Sequence, residues 1–376
     1  MVRTGAWLEA RLPRLNPVVS PRNFRRDFVA GILLSLFLVP VGMAYAQASG
    51  LAPVHGLYAT IAPMIVYGLF GPSRLLVLGP DSSLAPLVAA VVLPLASGDP
   101  QRAATFAAAL AVGTGLLSLA AGFGGLGMLT ELLSVPIRHG YLVGVAGVVA
   151  VGQLPTLLGI NGGGDTISVL VDVVAGLAKL ELDTTTVWAG LLSLAGLIIL
   201  GRLRSYLVAV ATTVIVAIVA TRLLGAGDEL DVVGTLPRGA PSPTMPAIDR
   251  SDLSSLAIGA LSIALISFTD TSILSQSYAS REARHVDPNR ELVALGLSNV
   301  ACGFFQGFPV SGSSSRTPVL ESAGARTQAA GLVAAISVLV LISTVPGALS
   351  TLPLATLAAV LIVAVIKLVD TRFALV

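Results

Sequence analysis

A polytopic all-α membrane fold is predicted by three features of the sequence. Of 376 residues, 55% are hydrophobic and 11% charged, against roughly a quarter charged in ordinary soluble domains. Apolar runs of about 20 residues, each able to cross a hydrocarbon core of roughly 30 Å as a helix, recur along almost the whole chain. The polar residues fall mainly between those runs, in Pro- and Gly-rich punctuation.

Breaking the sequence at Pro, Gly and charged clusters predicts about twelve spans, over 27–46, 56–71, 80–97, 103–122, 133–158, 185–201, 205–224, 253–277, 290–306, 313–323, 328–346 and 351–369. Two of them are short. Ahead of the first run, Trp7, Leu8, Leu12 and Leu15 lie among Arg3, Arg11, Arg14, Arg22, Arg25 and Arg26, a pattern that predicts a cytoplasmic membrane-surface segment over 1–26. With the N-terminus inside, sixteen Lys or Arg fall on the cytoplasmic side and five outside (Arg102, Lys179, Arg222, Arg238 and Arg250), leaving Arg316 alone at depth. The positive-inside bias supports this orientation, that of a multi-pass protein of the cell (inner) membrane. The longest polar stretch, within 225–254, is rich in Pro, Gly and Asp and reads as an extracytoplasmic connector between two halves.

Composition also excludes. The formal net charge of +2 comes without a continuous basic patch, so nucleic acid is not a predicted partner and lipid is. A single cysteine, Cys302, leaves no internal disulfide or Cys-based metal site. His55, His139 and His285 lie far apart in connectors, with no HExxH spacing. Glu131, Arg138 and His139 flank the fifth span, where topology setting and snorkelling explain them. The glycine runs at Gly122–Gly127 and Gly162–Gly164 follow no strand and read as turns rather than nucleotide loops. No metal, organic cofactor or enzymatic activity is expected.

The third span opens Leu78-Gly79-Pro80-Asp81-Ser82-Ser83 and the tenth Phe308-Pro309-Val310-Ser311-Gly312-Ser313-Ser314-Ser315-Arg316. Each is a Pro/Gly and Ser-rich lead-in to a short helix, third in its half. Because seven spans precede the connector, the second half enters from the opposite side, and the two short helices are predicted to point their N-termini at each other near the midplane. Helix N-termini attract anions through unpaired N–H groups and the macrodipole, and irregular backbone at that depth lines a cavity or is buried in protein. Close helix packing by small residues also accounts for Ser and Gly runs. Arg316 favours the anion reading, because a guanidinium at depth costs several kcal/mol and needs a reason. The alternative is permanent pairing with Asp270 or Asp81. Asp270, the other charge at depth, suits proton uptake or Na⁺ holding, or is held by Thr269, Thr271, Ser272 or Arg316. Asp81 reads equally as a functional acid or an N-cap.

The residues Pro40-Val41-Gly42-Met43-Ala44-Tyr45-Ala46, Gly50-Leu51-Ala52-Pro53-Val54-His55-Gly56-Leu57-Tyr58-Ala59, Gly71-Pro72-Ser73-Arg74, Gly79-Pro80, Asp287-Pro288-Asn289-Arg290-Glu291-Leu292, and Gly307-Phe308-Pro309 through Ser315-Arg316-Thr317 to Gly324-Ala325-Arg326-Thr327-Gln328 together resemble the sulfate permease (SulP) family of anion transporters. That resemblance implies a seven-plus-seven inverted repeat, a core domain moving like an elevator against a gate domain, and a homodimer. It divides the chain into core over 27–122 (spans one to four), gate over 123–224, the connector over 225–252, core over 253–346 (spans eight to eleven) and the start of the second gate half over 347–376. The last two gate spans and the STAS domain usual in the family are not among these residues. It places the anion against Val41, Tyr45, Asp81, Ser82, Ser315 and Arg316, and cation coupling at Asp270. An acid at position 81 departs from what an anion site calls for, and is expected to tune selectivity or to pair with Arg316.

The function so predicted is cation-coupled secondary transport of a small anion such as sulfate, bicarbonate or a dicarboxylate, driven by H⁺ or Na⁺. An anion channel or a non-transporting membrane protein of the same fold is the alternative. An intramembrane enzyme lacks a second catalytic residue at depth, and a related nucleobase symporter calls for a carboxylate where Arg316 stands.

Overall fold

The computed structural model describes residues 23–127, 135–160, 166–179, 182–203, 205–281 and 286–367, the side chains at 135–139, 141, 142, 145 and 228 aside. Residues 1–22 of the predicted surface segment over 1–26, Glu131, Gly162–Gly164, His285 and the side chains of Arg138 and His139 lie outside that description; residues 24–26 belong to the first helix.

Fourteen α-helices follow one another among the described residues: α1 (Phe24–Ala48), α2 (Pro53–Phe70), α3 (Ala85–Ala96), α4 (Pro100–Gly124), α5 (Val135–Gly152), α6 (Leu154–Leu158), α7 (Thr166–Lys179), α8 (Thr184–Leu203), α9 (Tyr206–Leu224), α10 (Leu253–Arg281), α11 (Pro288–Phe304), α12 (Arg316–Ser322), α13 (Ala329–Thr344) and α14 (Leu354–Ile366). Of these, α1, α2, α4, α8, α9 and α10 are long and apolar enough to cross a membrane, while α3, α13 and α14 are shorter apolar helices. The expected third and tenth spans thus shrink to α3 and the two-turn α12, because their lead-ins are a short strand followed by a turn rather than helix. The run over 133–158 divides at Gln153 into α5 and α6. Helix α7 was not expected. It is amphipathic, with Val169 and Val173 buried and Ile167, Val171 and Val174 exposed, and is too short and too interrupted by Asp172 to read as a span.

Two helices show how sequence punctuation sets the frame. Asp99 caps α4 by accepting from the backbone N–H groups of Gln101 (2.8 Å) and Arg102 (3.3 Å), with Pro100 at the first helical position. Asp287 caps α11 by accepting from Asn289 N (2.9 Å), with Pro288 in the same place. An acidic cap followed by proline supplies an acceptor for orphan N–H groups and a preset φ. The two helices pack along each other and cross at glycines. A Cβ on Gly115 would stand 2.6 Å from Val300 N, and one on Gly296 2.8 Å from the Gly115 carbonyl, the small-residue contact of tightly packed membrane helices.

Helices α1, α2 and α13 pack together, α10 lies on α4 and α3, and α14 lies against α8, α6, α5 and α1. The connector is laced to the helix ends. Val233 N donates to Leu352 O (3.0 Å), Leu354 N to Asp231 O (2.8 Å) and Thr244 N to Phe304 O (2.8 Å).

At the centre two extended segments meet. Strand β1 (Leu78–Gly79) pairs antiparallel with β2 (Ser311–Gly312), Leu78 opposite Gly312 and Gly79 opposite Ser311. Ser313 N donating to Val77 O (3.0 Å) and Val77 N donating to the Thr317 hydroxyl (3.1 Å) extend the contact. Each strand leads within a few residues into a short helix, β1 into α3 and β2 into α12.

Candidate functional site

The strands are held in place by side chains aimed at their backbone. Asn299 of α11 treats Val310 as a strand partner would: its Oδ1 accepts from Val310 N (2.9 Å) and its Nδ2 donates to Val310 O (3.1 Å). The Ser267 hydroxyl of α10 donates to the same carbonyl (2.8 Å), and Gly312 N donates to the Thr271 hydroxyl (2.8 Å). On the other lead-in, Gln328 Nε2 donates to the carbonyls of Ser73 (2.8 Å) and Leu76 (3.0 Å). Unpaired backbone groups away from water cost several kcal/mol each, so these amides and hydroxyls allow irregular chain to persist there.

The ladder carries Arg316 across to the first lead-in. Arg316 is fully buried, and its Nη2 donates to the Pro80 carbonyl and lies 3.4 Å from Asp81 Oδ1. Its Nε and Nη1 have no hydrogen-bond partner. Gly79 faces the guanidinium with nothing but backbone, since a Cβ there would stand 2.6 Å from Nη1. Ser311, on the segment paired with Gly79, also keeps a buried hydroxyl without a partner, and the buried Ser82 hydroxyl faces that of Tyr45.

Tyr45 of α1 is buried and faces Asp81, Ser82 and Arg316. Val41 lies one turn before Tyr45 on the same helix, equally buried, and so on the same face. Ser315 occupies the residue before α12, half-buried, with its hydroxyl 3.1 Å from that of Ser313. Ser314, next to it, is exposed.

Asp270 joins this group through a residue that sequence reasoning missed. The Ser83 hydroxyl lies 2.7 Å from Asp270 Oδ2 and 3.1 Å from Asp81 Oδ2. The neighbouring hydroxyls do not hold Asp270: Thr269 donates to Leu265 O (2.7 Å) and Thr271 to Ser267 O (2.7 Å). Asp81 does not cap α3 itself. Its side chain accepts from Ser83 N (3.3 Å), while its carbonyl accepts from Ala85 N (3.1 Å), a turn ahead of the helix.

A cavity of about 820 Å³, lined by Gln47, Pro86, Ala90, Leu93, Gly152 and Gln153 among others, runs between α1, α3 and α5 and reaches the first turn of α3. Gln47 has a buried Oε1 without a partner.

A buried carboxylate outside this group was also missed. Glu291 of α11 accepts from the Tyr67 hydroxyl, from Ser73 (2.8 Å) and from Ser275 (2.7 Å), drawing together α2, its following loop, α10 and α11. At the start of a capped helix it reads from sequence as an ordinary first-turn acid.

Comparison with known proteins agrees with this architecture. The transmembrane domain of a cyanobacterial bicarbonate transporter, BicA, superposes with a TM-score of 0.85 at 24% identity, covering 95% of this chain and 92% of that one. The murine solute carrier 26 family member A9, an anion transporter, gives 0.85 at 22% identity over 93% of this chain and 62% of that one. Among curated sequences, a probable sulfate transporter of Mycobacterium tuberculosis is 37% identical over 355 residues, spanning 93% of this chain and 62% of its own length. Human solute carrier family 26 member 6 is 34% identical over 391 residues, spanning 96% and 51%. The chain thus spans about half to three fifths of the length of these relatives. The model of the sulfate permease family matches residues 24–375, and the chain belongs to that family.

Proposed function

We propose that the chain carries a small anion across a membrane by secondary active transport, with Arg316 as the group that holds the anion. The observation that carries this reading is the state of the guanidinium: wholly buried, paired through one nitrogen, and left with Nε and Nη1 unmatched. Burying a cation in this way costs several kcal/mol, and an anion oxygen on Nε and Nη1 would offset that cost with charge-assisted hydrogen bonds. Tyr45, Ser82 and Ser315 supply further hydroxyls, and Val41 an apolar wall. Sulfate, bicarbonate and small dicarboxylates fit this chemistry, and sulfate and bicarbonate are the anions named for two of the similar proteins.

Coupling to H⁺ or Na⁺ is assigned to Asp270, which Ser83 links to the anion site. The ladder between β1 and β2 supports an inverted repeat in which α1–α4 and α10–α13 form a core that slides against α5–α9 and α14, elevator fashion. We place the N-terminus in the cytoplasm and the assembly as a homodimer. The test is uptake of radiolabelled sulfate, bicarbonate and fumarate into proteoliposomes, with and without proton and sodium gradients. Saturable, gradient-dependent uptake lost in Arg316→Ala is expected. Wild-type uptake by Arg316→Ala removes the site assignment, and flux that does not saturate favours a channel.

A further inference from the structure

We propose that Asp81 is a tethered competitor for the transported anion, its carboxylate resting on Nη2 of the Arg316 guanidinium when the site is empty and taking up one proton when an anion on Nε and Nη1 draws that charge away. This rests on the anion-site reading above and adds the identity of the group that exchanges the proton.

The first observation is how loosely Asp81 is held. Charge-assisted N–H···O contacts run about 2.7–2.9 Å, and arginine favours the two-pronged fork with a permanent carboxylate partner. Asp81 takes neither form. One oxygen lies 3.4 Å from one nitrogen, and Nε and Nη1 stay unmatched in a fully buried side chain.

The second observation is a count of protons. The Ser83 hydroxyl carries one, yet its oxygen lies 2.7 Å from Asp270 Oδ2 and 3.1 Å from Asp81 Oδ2. With both carboxylates ionised, one of those contacts sets lone pair against lone pair, and two like charges share a hydroxyl. In the empty pocket Ser83 gives its proton to Asp270 and turns a lone pair to Asp81 at the longer distance; a proton arriving on Asp81 Oδ2 on loading turns that contact into a hydrogen bond, Asp81 donating to Ser83 and Ser83 to Asp270. The path for that proton is therefore already laid.

The third observation is charge balance. The groups facing Asp81 are Arg316 from α12, Asp270 from α10 through Ser83, and Tyr45 from α1. With the guanidinium charged, both carboxylates ionised and the phenol neutral, the empty pocket is singly negative. When a monoanion occupies Nε and Nη1, Asp81 Oδ1 leaves Nη2, and an O–H bond forms on Asp81 Oδ2 with a proton drawn from the aqueous phase. No bond within the anion changes. The loaded pocket is again singly negative, so the site meets the low-dielectric environment with the same charge in both conditions.

The full chain is purified, and binding of nitrate, sulfate and fumarate is measured by calorimetry. Proton uptake on binding is then followed with an indicator dye in weak buffer. Wild type should take up about one proton per nitrate bound, and its affinity should weaken up to tenfold per pH unit as pH rises. Asp81→Asn removes both the competitor and the proton acceptor: uptake should vanish and affinity at pH 8 should rise about tenfold, whereas Asp81→Glu should retain uptake. Anion binding to wild type without proton uptake overturns the proposal, and does so even if the Asn variant fails to fold. Uptake that persists in Asp81→Asn and disappears only in Asp270→Asn also overturns it. Absence of binding by every anion, or wild-type binding by Arg316→Ala, instead overturns the anion-site reading beneath it.

Discussion

Gly79 lies against the guanidinium of Arg316, so closely that a Cβ at position 79 would stand 2.6 Å from Nη1. The two residues sit on paired segments, Gly79 opposite Ser311 in the ladder and Arg316 at the first turn after it. Gly79 also has φ +156°, a backbone conformation that side-chain-bearing residues rarely adopt.

Gly79→Ala is therefore expected to act twice. Strained backbone of this kind costs of order 1–3 kcal/mol, which thermal unfolding in detergent will read as lower stability. The far end of a flexible side chain gives way more readily than backbone, so the guanidinium should move off its present position. Anion binding is then expected to weaken by about tenfold or more, roughly 1.4 kcal/mol. Calorimetric titration checks this, and unchanged affinity would mean that Nη1 does not face the anion.

Asn299 pairs with both backbone groups of Val310 through an amide that offers a donor and an acceptor at once. Asn299→Asp keeps the shape and the acceptor but, when ionised, loses the donor to Val310 O and to Leu295 O. A buried charge without its donors costs about 2–4 kcal/mol. The expected result is a destabilised protein whose loss grows as pH rises and the new carboxylate ionises. Thermal stability of the two proteins from pH 5 to 8 measures it, and a constant difference would show that the aspartate stays neutral or finds water.

What sequence alone could show follows from contrast. Arg316, Asp81 and Asp270 stand out because each is a charge inside an apolar run, and Pro80 and Pro309 mark extended backbone because proline restricts the residue before it. Ser83, Asn299 and Gln328 do not stand out, since hydroxyls and amides are common in membrane helices and their partners lie elsewhere in the chain: Gln328 reaches Ser73 and Leu76. The same holds for Glu291, whose meaning depends on Tyr67 and Ser275 arriving from other helices. Helix α7 escaped notice because its amphipathic stripe is shorter than a span.

The crossing of α1 and α2 offers a sharper test of packing. A Cβ on Gly56 would lie 1.9 Å from the Gly42 carbonyl oxygen, which is backbone and cannot turn aside. Gly56→Ala must push the two helices apart, at about 3 kcal/mol or somewhat more. Because α1 carries Tyr45 and packs on α2, the variant should show both lower monodisperse yield and weaker anion binding. Gly98→Ala is the control for handling, since a Cβ there meets nothing within 4 Å, although its φ of +86° makes a small loss of stability expected.

Glu291 separates architecture from transport chemistry. Its carboxylate accepts from Tyr67, Ser73 and Ser275, so every donor comes from a hydroxyl and the group is 1% exposed. Removing it in Glu291→Ala takes the acceptor from the Tyr67 hydroxyl and leaves the Ser73 and Ser275 hydroxyls, 2.5 Å apart, only each other; each lost bond is worth about 1 kcal/mol or more, and the deletion opens a cavity. A loss of about 3–5 kcal/mol is expected from these terms together. Tyr67→Phe removes one donor and leaves the carboxylate two, so a loss of about 1–2 kcal/mol is expected. If the cluster acts only as a clasp between α2, α10 and α11, the double variant Tyr67→Phe/Ser275→Ala should lose stability while keeping the anion affinity of wild type at each pH. A change in the pH dependence of anion binding in that double variant would instead tie Glu291 to the coupling ion, and would require a second ionisable site in the transport cycle.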